Sequence, residues 1–359
     1  VGIKIAQLIS FCIGGIMISA LCNELLLRFS KSLGIRNKND VFVRWSNESK
    51  PSLGGVSFFV VFVFTAIGYS IVFEDNIFHN IKYIGLFLSG SIAFLMGLAD
   101  DAYNTRPLAK LIIQITCGVI MVVTGVSLHI FNNYYIDGLL TIIWVVGIMN
   151  SLNMLDNMDG ITGTTVFFIL VTCLVSNWIL SDLKSDIFTV CLVAVIGSIL
   201  GFLIYNIHPS KLFMGDAGSQ FIGLFVAFYS IETLLNIGHS AYHTDCAPWV
   251  GLIITLIAFT PAAVDTLTVV INRLKKGQSP MVGGKDHTTH HLVYAGFKDI
   301  GVWYVFVSLG AISTLLSLSL ISLVKFGIVV PILFSLIYFV IVFWLLYRNT
   351  IKHKVADKR

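Results

Sequence analysis

Apolar residues run along this chain in long unbroken stretches, separated by short polar breaks. A helix needs about 20 apolar residues to cross the hydrocarbon core of a bilayer. On that criterion the pattern predicts eleven spans, at roughly 3–27, 52–73, 81–99, 108–131, 136–155, 161–180, 187–206, 219–237, 248–271, 301–324 and 327–347. The runs are continuous and lack the alternation of a membrane β-strand, which excludes a β-barrel. The expected fold class is all-α, a polytopic helical membrane protein forming one domain over residues 1–359. The first stretch is too long for a secretory signal and lacks a small-residue cleavage site, so it reads as a retained span.

Composition supports this reading. A chain of 359 residues would suit two or three soluble domains. Only 12% of its residues are charged, against about 25% in soluble domains, and its mean hydropathy is +0.88. Charge then orients the spans. Loops 28–51, 100–110, 156–160 and 207–218, with 272–300 and the tail 348–359, hold 19 of the 23 Lys and Arg residues. The alternate set of loops holds only Lys4, Lys82, Lys184 and Lys325. By the positive-inside rule the first set faces the cytoplasm, with the amino terminus outside and the carboxyl terminus inside. The net charge of +4 reflects this asymmetry and attraction to anionic headgroups. No basic domain exists to serve a nucleic acid. Five of the six cysteines lie in apolar runs and none shows CxxC spacing, so they read as small buried hydrophobes.

Four polar clusters stand out against the hydropathy: LADDAYNTRPLAK (98–110), NSLNMLDNMDG (150–160), FMGDAGSQ (213–220) and GGKDHTTHH (283–291). All four fall on the cytoplasmic side, as expected of an active site at one membrane surface. Asp100 and Asp101 end a span, where the helix dipole disfavours acids, and Lys110 opens the next, where it disfavours a cation. Residues that oppose a local rule in this way are candidates for function. In the second cluster Asn150 and Asn153 can share a helix face. The helix is expected to end near Asp156, with Gly160 as breaker, so that Asp159 lies beyond it. Asp156 and Asp159 join Asp100 and Asp101 as candidate catalytic acids. The oxygens converging there are hard ligands suited to Mg²⁺, with Mn²⁺ as its nearest substitute.

Gly215, Asp216 and Ser219 precede an apolar helix whose first backbone N–H groups can hold phosphate. Asp216 is read either as a simple cap or, beside the other acids, as a metal ligand. His287, His290 and His291 lie in a basic, glycine-rich loop with no cysteine and no HExxH spacing. Contact with a phosphate or nucleotide suits them better than Zn²⁺. The loop is long enough to cover a substrate, and Arg273 belongs to the same basic stretch. Lys50, before the turn at Pro51, Gly54 and Gly55, is a further candidate for touching an anion. Asp265, within the ninth span, is either an intramembrane functional acid or the partner of Arg273.

In this order among about eleven spans, the pair Asp100–Asp101, NxxNxxDxxDG, GDxGS and a late histidine-rich loop resemble the polyprenyl-phosphate N-acetylhexosamine-1-phosphate transferases. That family includes the bacterial initiators of O-antigen and teichoic-acid synthesis and the phospho-N-acetylmuramoyl-pentapeptide transferase. The resemblance covers roughly residues 30–295. It implies an Mg²⁺-dependent enzyme of the bacterial inner membrane. A UDP-amino sugar would give its sugar-1-phosphate to a polyprenyl phosphate, commonly undecaprenyl phosphate, with release of UMP. By the same matching, Asn153 and Asp216 fall on the metal positions and Asp100 and Asp101 on the acidic pair. Lys110 falls on a phosphate-contacting lysine, and His290 and His291 on a pair near the nucleotide diphosphate. The chain departs from the family where DNMDG replaces the commoner DGxDG, putting Asn157 in place of glycine, and where the late motif reads DHTTHH. The late loop points to the branch using UDP-N-acetylglucosamine rather than the pentapeptide donor. Two readings from other classes compete. A secondary transporter would carry its acids near the bilayer midplane on repeated broken helices, and a non-catalytic scaffold would not need these clusters. A homodimer suits a membrane enzyme, though no feature of the sequence encodes one.

Overall fold

The computed structural model describes residues 2–30, 50–73, 77–180, 186–238, 247–279 and 283–353. The described residues are helical, with no strand among them. Helices α1 (Gly2–Ser30), α2 (Val56–Phe73), α3 (Ile81–Tyr103) and α4 (Pro107–Val123) are followed by α5 (Tyr134–Leu155), α6 (Ile161–Leu180) and α7 (Ile187–Asn206). Next come α8 (Gly215–Ser230), which continues as a π-turn over Ile231–Leu235, then α9 (Pro248–Ala258) and α10 (Thr260–Lys275). The short α11 (Thr288–Tyr294), α12 (Asp299–Lys325) and α13 (Val330–Lys352) complete the chain.

Nine of these helices, counting α8 with its π-turn, are long and apolar enough to cross a membrane, and α4 is a shorter apolar helix. The ninth expected span, 248–271, is not one straight helix. It breaks at Phe259 (φ −90°, ψ 6°) into α9 and α10, which meet at 83°. Pro261 causes the break. It has no N–H to give the carbonyl four residues back, and its ring crowds that carbonyl, so it is tolerated only in the first turn of a new helix. Apolar residues flank the break on both sides, and hydropathy reads across it. Most of loop 28–51, the tail from residue 354 and Cys246 lie outside the described residues.

Helix α8 is the axis of the bundle. Every residue from Ala217 to Ser230 is buried, so this helix meets neighbours on all sides. It packs against α2, α3, α5 and α6, while α1 and α2 lie on α7. Glycines set the closest approaches around its first turn. A Cβ on Gly97 of α3 would strike the backbone of Asp216 and Ala217, and one on Gly55 would strike Gly218. Small residues of this kind let membrane helices come together backbone to backbone. The outward faces of α1 (Ile9, Ile13, Met17, Leu21) and α13 (Phe334, Ile337, Ile341) stay apolar and exposed, as lipid-facing surfaces would.

The two ends of the bundle differ. At one end Lys82 pairs with Glu232 at 2.9 Å. At the same end the Asp137 carboxylate accepts the backbone N–H groups of Ile130, Phe131 and Asn133. These are local ties at helix ends. The other end gathers all four polar clusters.

Candidate active site

At that end α3 stops with Asn104 in the left-handed region (φ 51°). The turn folds back so that Thr105 donates its backbone N–H (2.8 Å) and hydroxyl (2.5 Å) to Asp100 Oδ1. Pro107 then starts α4, which brings Lys110 Nζ to 2.5 Å from Asp100 Oδ2 and 3.6 Å from Asp216 Oδ2. The two placements that oppose the helix dipoles thus compensate one another: the acid at the end of α3 and the cation in the first turn of α4 form one ion pair. Asp216 receives the Asn153 amide on its other oxygen, Asn153 Nδ2 to Oδ1, at 2.5 Å. Asn153 also donates to Ser219 Oγ at 2.8 Å. Asp100, Lys110, Asp216, Asn153 and Ser219 therefore form one connected group, contributed by α3, α4, α5 and α8.

Asp101 has a different place. Its Oδ1 accepts the Asp216 N–H (3.1 Å) and its Oδ2 the Ala217 N–H (2.9 Å), so α3 caps the amino terminus of α8. A carboxylate there is favoured by the helix dipole. The expectation that these backbone donors hold phosphate is corrected accordingly, since two of them are already taken. Gly215 makes the contact sterically feasible. It sits at φ +77°, and a Cβ there would meet the Ser52 carbonyl and the Asp101 carboxylate.

Helix α5 ends at Leu155 with Asp156 as its C-cap, and Gly160 takes φ +76°, as the sequence led us to expect. Burial, then the negative charges of Asp216 and Asp101, push the Asp156 carboxyl up to about 7. Asp159 turns away from that group. It accepts from the Ser210 N–H (3.1 Å) and hydroxyl (2.8 Å) and lies 3.1 Å from His208 Nδ1, tying down the turn between α7 and α8. Lys50 joins this turn, with Nζ 3.4 Å from Ser210 Oγ and over the Phe213 ring. Asn150 is also engaged. Its Nδ2 donates to Gln114 Oε1 at 2.7 Å and to the Val146 carbonyl at 2.8 Å.

The late loop is packed into the protein. His287, His290 and His291 are all buried. Asp265 is fully buried beneath them, and its partners are not the Arg273 of the second reading. Its Oδ2 lies 2.8 Å from His287 Nδ1, and its Oδ1 accepts the Thr288 N–H (2.8 Å) and hydroxyl (2.6 Å). It caps α11 and orients a histidine. Arg273 does not pair with Asp265. It makes a two-pronged ion pair with Asp286, Nε to Oδ2 at 2.8 Å and Nη2 to Oδ1 at 2.7 Å. Although burial opposes ionisation, the Arg273 guanidinium holds the Asp286 carboxyl below its ordinary value. Burial and the neighbouring His287 depress His290 to about 3, so its imidazole is neutral at physiological pH. His291 Nδ1 donates to the His353 carbonyl at 2.6 Å, fastening α11 to the end of α13. The late loop meets the second cluster through Thr289, whose hydroxyl donates to Asn157 Oδ1 at 2.6 Å. Asn157 is thus the link between two motifs.

Sequence reasoning missed Gln114, Thr105, Thr288 and Asp286. Gln114 carried a readable signal, a lone amide in an apolar run four residues after Lys110.

Among the described residues, no three His, Cys, Asp or Glu side chains converge closely enough to hold a metal by themselves. Mg²⁺ usually takes one or two protein groups and completes its shell with waters and substrate phosphates. The Asp216 carboxylate fits that sparse pattern, and the Asn153 amide beside it, which here turns its Nδ2 to Asp216, would add an oxygen on turning over.

Residues 83–234 match the family model described as glycosyl transferase family 4, a segment that contains Asp100, Lys110, Asn153 and Asp216. The chain is 29% identical over 257 residues to a probable undecaprenyl-phosphate N-acetylglucosaminyl 1-phosphate transferase of Bacillus subtilis, covering 69% of this chain and 67% of the relative. It is 29% identical over 255 residues to a decaprenyl-phosphate N-acetylglucosaminephosphotransferase of Mycolicibacterium smegmatis, covering 64% and 62%. A phospho-N-acetylmuramoyl-pentapeptide-transferase of a Thermoanaerobacter species is 28% identical over 289 residues, covering 74% and 83%. The chain thus spans about two thirds of the length of the first two relatives.

Proposed function

We propose that this chain, whose residues 83–234 match glycosyl transferase family 4, transfers an N-acetylhexosamine-1-phosphate group from a UDP-sugar to undecaprenyl phosphate and releases UMP. N-acetylglucosamine is the first sugar to test, because two of the relatives are named for it. A pentapeptide-bearing muramoyl donor is the second reading, favoured by the third relative. Eleven spans follow if α4 crosses the membrane and α9 with α10 counts as one bent span. The polar end then faces the cytoplasm of a bacterial cell, where a soluble nucleotide sugar and the headgroup of a long apolar lipid can meet.

One observation carries the proposal: Lys110 lies between Asp100 and Asp216, with Asn153 on the same Asp216 carboxylate, at the end of a membrane bundle. Phosphoryl-type transfer needs positioning and charge neutralisation more than covalent help. In the proposed reaction an acceptor phosphate oxygen attacks the sugar-bearing phosphorus of the donor. The bond from that phosphorus to the bridging oxygen breaks, and its electron pair leaves with UMP. Lys110 offers a fixed positive charge to the phosphates. Asp100 and the Asn153–Asp216 contact hold that charge in place. Asp156, its pKa raised to about 7 by burial and the neighbouring carboxylates, can in its ionised form take a proton from the acceptor phosphate. Mg²⁺, when held by the oxygens of Asp216 and Asn153, would neutralise part of the diphosphate charge.

The test is to incubate the purified protein with undecaprenyl phosphate, Mg²⁺ and a panel of UDP-amino sugars, measuring UMP and lipid product together. One donor should yield both in equal amounts. A folded protein that yields neither from any donor contradicts the proposal.

A further inference from the structure

Beneath the charged group lies a second, uncharged layer. Gln114 Nε2 donates to Asn150 Oδ1 at 3.2 Å and to Gln220 Oε1 at 3.0 Å, and Asn150 Nδ2 returns a bond to Gln114 Oε1 at 2.7 Å. Gln114 and Gln220 are each about 1% exposed. Each amide sits on a helix that supplies the layer above. On α4, Gln114 lies four residues beyond Lys110; on α8, Gln220 lies four beyond Asp216; on α5, Asn150 lies three before Asn153. Helices α4 and α8 run inward from the polar end and α5 runs toward it, so all three amides are displaced in the same direction, by about one helical turn.

Amides in an apolar interior have few alternatives to one another, and an unpaired one costs a desolvated polar group. Their bonds fix the rotation and depth of one helix against the next more sharply than apolar packing does. Gln114 is the hub, since it alone touches both other amides. Gln220 keeps its Nε2 unbonded among the described residues, so the triad is held through its oxygen alone.

We infer that Gln114 is a positioning residue: with Asn150 and Gln220 it forms an amide clamp that sets the register of α4, α5 and α8 and thereby holds Lys110, Asn153 and Asp216 together. The inference assigns Asn150 to this clamp rather than to substrate. It rests on the proposed transferase reading for its kinetic consequence, but its structural consequence stands apart from that reading.

The test uses the full chain in detergent micelles, with folding checked by thermal unfolding and size-exclusion chromatography. Two variants are compared with wild type: Gln114→Leu, which removes the hub, and Gln114→Asn combined with Asn150→Gln, which exchanges the two amide lengths across the pair. The first readout is acylation of Lys110 by an amine-reactive reagent, measured by mass spectrometry against Lys82 at the far end as control. The second is kcat and KM separately. In Gln114→Leu, Lys110 should be acylated severalfold faster relative to Lys82. Its kcat should fall by about 10–100-fold, the usual loss when a supporting partner is removed, with donor KM little changed. The exchanged pair should recover most of both. A folded Gln114→Leu protein with wild-type Lys110 reactivity and wild-type kcat overturns the inference. Should that variant fail to fold, the exchanged pair decides, and exposed Lys110 with lost turnover in a folded protein overturns it. If wild type turns over no donor, the transferase reading fails, while the acylation readout still decides the clamp.

Discussion

Asp265 offers the sharpest test of how the late loop is built. It is fully buried and accepts three hydrogen bonds, from His287 Nδ1, the Thr288 N–H and the Thr288 hydroxyl. In Asp265→Asn, one amide oxygen can keep both Thr288 bonds. The new Nδ2 then faces His287 Nδ1, and the imidazole must move its proton to Nε2 to accept. Replacing a charge-assisted bond by a neutral one of reversed polarity should cost about 1–3 kcal/mol. Asp265→Ala leaves three buried donors without an acceptor. After local relaxation we expect a cost of about 3–5 kcal/mol, the range for breaking a buried polar network. At roughly 2 °C per kcal/mol for a chain of this size, the alanine protein should melt about 6–10 °C lower. Thermal unfolding in one detergent, with monodispersity checked beforehand, measures both. An alanine variant melting within a degree of wild type would refute this placing of Asp265 beneath the loop.

Two further predictions concern the polar end of the bundle. Gly215→Ala forces a side chain to φ +77° and drives a Cβ into the Ser52 carbonyl and the Asp101 carboxylate. The strain alone should cost more than about 1 kcal/mol, and pulling Asp101 off the start of α8 should lower Tm and turnover together. Asp156 gives a pH signature in the metal-free protein. Its folded pKa, about 7, lies above the ordinary carboxyl value, so its protonated form favours the fold. The contribution is complete below the ordinary value and is lost as pH rises through about 7. The Tm difference between metal-free wild type and Asp156→Asn should therefore widen, to wild type's disadvantage, from pH 5 to pH 8. A difference constant across that range contradicts the placing of Asp156 among other carboxylates.

How far the molecule is legible in its sequence depends on whether a feature is local. Helix-length apolar runs announce most of the spans, because a bilayer-length helix must satisfy its own backbone and present apolar side chains throughout. The end of α5 is equally local, written in Asp156 and Gly160. The break between α9 and α10 is harder to read. Pro261 is visible, but the residues around it are as apolar as a straight span requires. Side-chain roles are legible only as chemistry. Asp101 reads as an acid at a helix end, yet the helix whose dipole it satisfies begins more than a hundred residues later, at Gly215. Arg273 and Asp265 look like partners eight residues apart, until the late loop folds back and gives Arg273 to Asp286 and His287 to Asp265. Asn150 and Asn153 look equivalent on one face. Gln114 makes the first a structural amide, while Asp216 draws the second into the charged group.

The group formed by Lys110, Asp216 and Asn153 is proposed to move a sugar-phosphate onto a lipid phosphate. Its most direct test is the rate of UMP release coupled to lipid-linked sugar, in wild type and in Asp216→Asn, at saturating Mg²⁺ with UDP-N-acetylglucosamine and undecaprenyl phosphate. Asp216→Asn keeps the size of the side chain and removes its charge, so the fold should survive. Wild type should give stoichiometric product, and the variant should lose at least about 100-fold, as for removal of one electrostatic contact to a transition state. A folded Asp216→Asn protein that turns over at the wild-type rate would contradict that role.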